Sequence, residues 1–363
     1  EYPMQQGGGN DGRPYSFGRP SSGGSKAAYP CKSYGQGRIN PAYFYGVFDP
    51  NDMRRDVSIT MTGSNGKGVE KLIPFVPNSK AEGGGLTLNK WDENRQANPW
   101  VAAQRKSGIN GPYMRMSEVY LGYAEVCAAL GDVVTGKQYL KTVRERSFPQ
   151  GLANTDAFIA SFGNDLVRAI IEERGFEYAG EGDRRWTLIR SGYLPEDIKR
   201  IKDMTKAMMD GLATKGYYEF ENGNIISAYI WTKLVDAKTI YGHRLTAQCP
   251  TDKVNDPVLY PGWRGQKDNW EEMGLNYGSS TPATNLAIKG LFEIVSEEEA
   301  ASLESQGYTK VNWGIDLVDY RDEYDKYLFW DYDYVSAPIY LWPFTPNVMA
   351  AGGFTNGYGF KQE

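Results

Sequence analysis

The strongest constraint in this sequence is a helical hydrophobic repeat that begins just after Pro112. Across residues 113–130, apolar side chains recur at spacings of three and four, the period of one face of an amphipathic helix. Gly131 ends this pattern, and Asp132 can cap a second predicted helix over residues 134–146. Two helices joined by a short turn over about 34 residues match the size of a tetratricopeptide unit. Because one such unit cannot bury its own apolar face, further helices must stack on it.

Helical spacing also predicts further helices later in the chain. The predicted ranges are residues 155–178, residues 195–212, a stretch that begins near residue 282, and residues 318–329. The intervening segment of about 214–281 lacks helical spacing and is predicted to be a loop insertion.

Residues 1–111 differ in composition from the rest of the chain. They are rich in Gly, Pro, Asn and Ser, which favour turns and interrupt helices and strands. Short alternating runs, such as residues 57–61, predict a little β structure among these loops. We therefore expect a loop-rich region, 1–111, packed on a helical region, 112–363, in one compact domain. The predicted fold class is mainly α, with tetratricopeptide-like helical pairs, long ordered loops and minor β structure.

Charge, histidine and cysteine content exclude several classes of function. The 363 residues carry 40 basic and 45 acidic side chains, so no global basic field favours nucleic acid. The single histidine, His243, rules out a two-histidine metal site, and no nucleophile motif accompanies it. Cys127 lies on an apolar helical face and is predicted to be a buried free thiol, whereas Cys31 and Cys249 lie in loop-like stretches. We expect no metal, no cofactor and no catalytic residue.

The abundance of aromatic residues points to ligand recognition. The chain has 26 Tyr and 9 Trp, whose flat apolar faces and polar tips suit sugar rings and peptides as well as protein cores. Two loops each place a pair of Trp around polar side chains, and a pair of Tyr residues near Asp49 forms a third group. Trp91 suits a core position as well, and both interpretations stay open. The predicted ligand-binding residues are Tyr43, Tyr45, Trp91, Asn98, Trp100, Trp263, Asn269 and Trp270.

Five segments, in order along the chain, resemble motifs of the SusD/RagB family. Residues 112–126 read PYMRMSEVYLGYAEV, and residues 173–190 read ERGFEYAGEGDRRWTLIR. Val126 and Thr187 depart from the resemblance, since the family has Ala and Asp at those positions. The other three segments are residues 49–55, with Asp-Pro and a following Arg pair, residues 142–146 (TVRER), and residues 338–358.

The charged residues of these motifs lie beside apolar faces at helical spacing. This pattern predicts structural ion pairs between stacked helices, because the planar guanidinium of Arg suits such pairs. The motifs would then identify the scaffold, with the ligand bound on loops. The residues predicted to form these ion pairs are Glu118, Glu125, Arg144, Arg146, Glu173, Arg174, Glu177, Arg184 and Arg185.

The resemblance implies a cell-surface nutrient-binding protein rather than an enzyme. It implies a lipid-anchored protein at the extracellular face of the outer membrane, which binds an oligosaccharide and passes it to a TonB-dependent SusC-type transporter. The protein would form a lid on the transporter barrel and release its ligand by a hinge motion. Helical repeats precede these motifs in family members, so we expect this chain to be a fragment. Three alternatives stay open: a peptide ligand, a glycoside hydrolase acting on the same ligand class, and a repeat-type adaptor for proteins.

Overall fold

Stacked helices form the main body of the protein and confirm the predicted mainly-α fold class. The computed structural model of the chain describes residues 38–64, 70–73, 85–91, 112–148, 151–236, 284–319, 321, 333, 335–336, 340 and 345–353. None of the helices in these ranges is long and apolar enough to cross a membrane.

The described part of residues 1–111 contains two short helices as well as strands. Asn40 and Asp52 cap these helices, because each side chain accepts a hydrogen bond from a backbone N–H in the first turn. The prediction of loops with short strands missed both helices. The elements are β1 (Arg38–Ile39), α1 (Pro41–Gly46), α2 (Met53–Ser58), β2 (Ile59–Thr60), β3 (Thr62–Ser64), β4 (Glu70–Leu72) and β5 (Leu86–Leu88). Antiparallel pairing joins β3 to β4 and places β5 between β1 and β2.

Six consecutive helices follow in the central part of the chain. They are α3 (Met116–Ala129), α4 (Val133–Glu145), α5 (Thr155–Ala160), α6 (Leu166–Glu177), α7 (Asp183–Ser191) and α8 (Leu194–Lys215). Helices α3 and α4 confirm the predicted helical pair, with Asp132 as the cap of α4. Side chains are buried along the whole length of α6, which is therefore the central helix of the stack.

The single helix predicted over residues 155–178 is wrong, because the chain turns sharply between α5 and α6. Gly163 and Asn164 both have positive φ, at 65° and 64°, a backbone conformation that no helix accommodates. Asp165 then caps α6 by accepting a hydrogen bond from the backbone N–H of Arg168 at 3.0 Å. Helix α7 was not predicted.

A three-stranded antiparallel sheet replaces elements that were predicted as loop and helix. The strands of this part of the chain are β6 (Tyr217–Glu219), β7 (Ile225–Ser227), β8 (Tyr229–Asp236) and β9 (Thr284–Lys289), and β10 (Thr309–Asn312) follows after α9 (Glu297–Ser305). The sheet has the order β10–β8–β9, whereas β6 and β7 form a separate hairpin. The helix predicted from residue 282 is therefore wrong at its start, since Thr284 to Lys289 pair with β8. Helix α10 (Ile315–Asp319) and helix α11 (Pro346–Gly352) complete the described elements, while residues 320 and 322–329 of the predicted helix 318–329 lie outside the described residues.

Two apolar cores, together with a small cluster of Ile171, Leu188 and Leu194, hold the described elements together. The larger core joins α1 to α8 and to the sheet, with Tyr45, Met208, Ile288 and Trp313 among its buried residues. The smaller core lies between α3, α4, α5 and α6. Described residues of the N-terminal segment, such as Phe44, Tyr45 and Phe48, therefore pack against the helices and the sheet in the larger core.

Helix α3 is apolar on two faces. Leu121, Ala124 and Cys127 point inward and are buried, and the thiol of Cys127 is free, as predicted. The outward face carries exposed apolar side chains and Gly122, where an added Cβ would meet no atom within 4 Å. A glycine inside a helix costs about 1 kcal/mol relative to alanine.

Candidate functional site

A cleft of about 1080 Å³ lies where the N-terminal segment meets the helical stack. Its walls come from residues 39–43 and 88–91, the chain entering α3, and the connection between α6 and α7. We call it the aromatic cleft, because Tyr43, Trp91, Tyr113 and Tyr178 all line it.

The four rings of the aromatic cleft differ in their accessibility. Tyr113 is 77% exposed, whereas Trp91 and Tyr178 are largely buried and present only part of their surface. Tyr43 is half-buried, and its hydroxyl donates to the carbonyl oxygen of Gly175 at 3.5 Å. Burial raises the pKa of Tyr43 to about 12, and the nearby guanidinium of Arg184 offsets this only in part. The hydroxyl therefore stays protonated at neutral pH.

A buried ion cluster beneath this cleft is centred on Glu173 and Glu177 of α6. Glu173, which is 0% exposed, accepts hydrogen bonds from Arg54 at 2.6 Å and Arg144 at 3.0 Å. Glu177 accepts a hydrogen bond from Arg115 at 2.7 Å. Arg146 also pairs with Glu177, and Lys90 pairs with Glu181. These contacts tie α2, α4 and the chain entering α3 to one helix.

A second ion cluster on the same helix is centred on Glu172. Arg184 and Arg200 donate to this carboxylate at 2.7 and 2.8 Å, and both also donate to Asp197 at 3.0 and 2.7 Å. Arg168 lies 3.9 Å from Glu172 and 3.8 Å from Asp197. The cluster joins α6 to α7 and α8.

The remaining motif acids pair with Arg side chains of neighbouring helices as well. Arg174 donates to Glu118 of α3 at 2.8 Å and to Asp183 of α7 at 2.6 Å, while Arg190 pairs with Glu125. Arg185 donates to the carbonyl oxygen of Tyr340 at 3.1 Å. The prediction of structural ion pairs between stacked helices is confirmed for the motif acids and their Arg partners.

These ion pairs predict acid sensitivity. Burial raises the pKa of Glu172 and Glu177, but the surrounding guanidinium groups outweigh it and hold both pKa values at about 2, below the ordinary 4.5. Each carboxylate therefore contributes stability that is fully present above pH 4.5 and is lost as the pH falls towards 2, on the order of 3 kcal/mol each.

Urea unfolding at pH 7, 4.5, 3.5 and 2.5 checks this expectation. The Glu172→Gln variant should be less stable at pH 7 and should lose less stability between pH 4.5 and 2.5 than the unaltered chain. Equal slopes for the two proteins would contradict the assignment.

The structure brings together only part of the predicted ligand-binding set. Tyr43 and Trp91 both line the aromatic cleft. Tyr45 does not, since it is fully buried in the larger core and its hydroxyl donates to the carbonyl oxygen of Leu291 at 3.0 Å. It is a core residue in this structure and is not placed to meet a ligand. Asn98, Trp100, Trp263, Asn269 and Trp270 lie outside the described residues.

Sequence reasoning missed two exposed residues at the cleft, Tyr113 and Met114. Their position between Pro112 and the start of α3 could have indicated this exposure, because residues just before a helix often remain outside the packed core. A second cavity, of about 850 Å³, was also not predicted. It lies beside the second ion cluster and includes Phe158, Arg168 and Tyr193 in its lining.

The described residues offer no metal-binding group of three or more His, Cys, Asp or Glu side chains. The acidic side chains of residues 49–52 already bind to neighbouring groups of the chain. Asp49 accepts from the backbone N–H of Asn51 at 2.8 Å, and Asp52 caps α2 and pairs with Arg54.

Stacked helical pairs and buried Arg–Glu clusters define a helical-stack protein, and its aromatic cleft has the volume of a small ligand. The sequence profile of the SusD family matches residues 1–345. The chain belongs to the SusD family.

Individual relatives match over shorter stretches. A SusD-like protein of Formosa agariphila is 28% identical over 160 residues, which cover 44% of this chain and 26% of the relative. The solved structure of a SusD homolog from Bacteroides thetaiotaomicron is 22% identical, with a TM-score of 0.33 over 45% of this chain and 33% of that chain. A SusD superfamily protein from Bacteroides vulgatus is 18% identical, with a TM-score of 0.33 over 51% and 39% of the two chains.

Proposed function

We propose that this chain binds an oligosaccharide at the cell surface and delivers it to a TonB-dependent SusC-type transporter. Membership of the SusD family supports the class of function. The aromatic cleft is the observation that carries the proposal for the site, because a sugar ring needs a flat apolar face below it and polar groups at its edge. In this proposal the protein is lipid-anchored on the extracellular face of the outer membrane.

Glu172 and Glu177 do not have the pKa values that the acid of a glycoside hydrolase needs. A glycoside hydrolase needs a carboxylic acid with a raised pKa, so that it can protonate the leaving oxygen. Glu172 and Glu177 are instead ionised at neutral pH, because Arg side chains donate to their oxygens and lower both pKa values to about 2. A hydrolase acting on the same ligand class is the alternative, and release of product from a candidate glycan would favour it.

The ligand we propose is uncharged. Glu118, Glu181 and Asp183 line the cleft, and each is paired with a basic side chain of the protein. Arg115 and Arg184 are likewise paired with acidic side chains. These five side chains offer a charged ligand no free counter-charge, so the ligand would lose hydration beside them without compensation. We therefore expect an affinity that changes little between 50 mM and 500 mM NaCl.

Loop residues complete the proposed site. The two Trp-bearing loops of the sequence carry Trp100 with Asn98, and Trp263 and Trp270 with Asn269. Trp91, which precedes residues 98 and 100 in the chain, and Pro112, which follows them, both line the aromatic cleft. We propose that these five residues contact the ligand together with Tyr43 and Trp91.

Calorimetry of the chain against neutral oligosaccharides, anionic oligosaccharides and peptides tests the function and the ligand class. We expect Tyr113→Ala to weaken binding of a neutral oligosaccharide by roughly 3–10-fold, because an aromatic stacking contact contributes about 0.5–1.5 kcal/mol. Tyr113 suits this test because its exposed ring can be removed without opening a cavity in the core.

Trp186→Ala is the matched control, since Trp186 is also exposed (58%) and is not among the residues of the cleft. Unchanged affinity in Tyr113→Ala would remove the cleft from the proposal. If only peptides bind, the proposed ligand is a peptide and not a glycan. If no ligand binds, the alternative of a repeat-type adaptor for proteins is favoured.

A further inference from the structure

The second cavity, of about 850 Å³, shares no described lining residue with the aromatic cleft. It lies between α5, α6, the start of α8 and the chain that follows α1. Its aromatic lining residues are Phe158, Phe162, Phe176 and Tyr193. A cavity of this size with flat apolar walls has room for a small molecule that carries a ring.

Arg168, in the lining of this cavity, is a buried cation with unused hydrogen-bond donors. The residue is 7% exposed, and no group of the described chain accepts a hydrogen bond from its Nη1. Its Nη2 lies 3.9 Å from Glu172 and 3.8 Å from Asp197, which is longer than a hydrogen bond. A buried polar group without a partner costs free energy, so a ligand that supplies the acceptor would be stabilised here.

The guanidinium of Arg168 is also held in place by its surroundings. It lies over the ring of Tyr193, at 4.2 Å from the ring centroid. Two further arginines of the lining, Arg144 and Arg200, each have a buried Nε without a partner among the described residues. Their other nitrogens already donate to acids of α6, Arg144 to Glu173 and Arg200 to Glu172. Arg168 therefore has more free donors to offer than either of them.

We propose that this cavity is a second ligand site, in which the guanidinium of Arg168 binds the carboxylate of a small ring-bearing molecule. A carboxylate matches the planar fork of a guanidinium, because two parallel hydrogen bonds can form between them. A dianion such as phosphate suits the cavity less, since Asp165, Glu172 and Glu196 also line it and would repel the second charge. The aromatic walls receive the ring of the ligand.

Calorimetric titration of the complete 363-residue chain with benzoate, glucuronate and the uncharged benzyl alcohol tests this site. We expect a carboxylate to bind, and Arg168→Met to weaken its binding by about tenfold or more, because the variant removes charge-assisted hydrogen bonds. Arg168→Lys keeps the charge without the planar fork, so it should restore only part of the affinity. Tighter binding of glucuronate would assign the site to an acidic sugar, and tighter binding of benzoate to an aromatic acid.

Arg190→Met is the matched control. Arg190 is an arginine of α7 with 47% of its side chain exposed, and it is not among the described lining residues of the cavity, so its variant should bind the carboxylate normally.

Urea unfolding with and without the carboxylate separates binding from folding. The ligand should raise the urea midpoint of the unaltered chain and leave that of Arg168→Met unchanged. Arg168→Lys carries the same comparison should Arg168→Met fail to fold. Benzyl alcohol that binds as tightly as benzoate would overturn the proposal, as would carboxylates that bind Arg168→Met as tightly as the unaltered chain. Failure of both carboxylates to bind would overturn it too.

Discussion

Replacing Glu173 with Gln should lower the free energy of unfolding by about 3–5 kcal/mol, the cost of breaking a buried ion pair from one side. Glu173 is fully buried, and its two oxygens accept from Arg54 and Arg144. Both guanidinium groups are nearly buried, with 12% and 3% of their side-chain surface exposed. The variant keeps the shape of the side chain but leaves two buried cations without their shared anion.

Urea unfolding followed by far-UV circular dichroism measures this loss. Asp203→Asn is the matched control, because it neutralises the acid of an ion pair with Lys199 whose side chains are 61% and 64% exposed. An exposed pair of this kind contributes about 0–1 kcal/mol. A Glu173→Gln variant as stable as the control would show that the Glu173 cluster does not hold the stack together.

Replacing Trp313 with Ala should destabilise the protein by about 3–5 kcal/mol, the range for removing a large aromatic side chain from a core. Trp313 is fully buried, lies near Tyr45 with ring centroids 6.2 Å apart, and donates its indole N–H to the carbonyl oxygen of Ser227 at 2.7 Å. The substitution would open a cavity where the N-terminal segment, the hairpin and the sheet meet, and would also leave a buried carbonyl without its donor.

Circular dichroism is again the right measurement, because the substitution changes Trp fluorescence directly. Trp186→Ala, on the exposed side of α7, should change stability by no more than about 0.5 kcal/mol. Trp313→Phe should lie between the two, since it keeps an aromatic ring in the core but loses part of the indole volume and the hydrogen bond. A small effect of Trp313→Ala would mean that the sheet does not share a core with the N-terminal segment.

Both variants test whether the helices and strands that support the aromatic cleft are held rigidly in place. The Glu173 cluster fixes α2 and α4 against α6, and Trp313 fixes the sheet against the N-terminal segment. A binding site made from separate chain segments needs its supports held in place before the ligand arrives, because ordering them on binding would reduce affinity.

Elements with local signals could be predicted from the order of their amino acids. The pair α3–α4 follows from apolar spacing, a glycine stop and the Asp132 cap, all of which act within a few residues. The ion pairs could be predicted as a class, because charges placed beside apolar faces of stacked helices have few other partners. Which Arg meets which Glu could not, since Arg54 and Glu173 are far apart in the chain.

The remaining elements depend on tertiary contacts, because a short apolar run fits the residue spacing of a helix and of a strand equally well. Leu286 and Ile288 suit a helix or a strand, and pairing with β8 makes them a strand. A tyrosine such as Tyr45 could contact a ligand, but the larger core encloses its ring. The carbonyl oxygen of Leu291 accepts the hydrogen bond from its hydroxyl. The aromatic cleft itself exists only because packing brings residues 39–43 and 88–91 against the start of α3. Local patterns specify what a segment prefers, and long-range contacts decide which preference is realised.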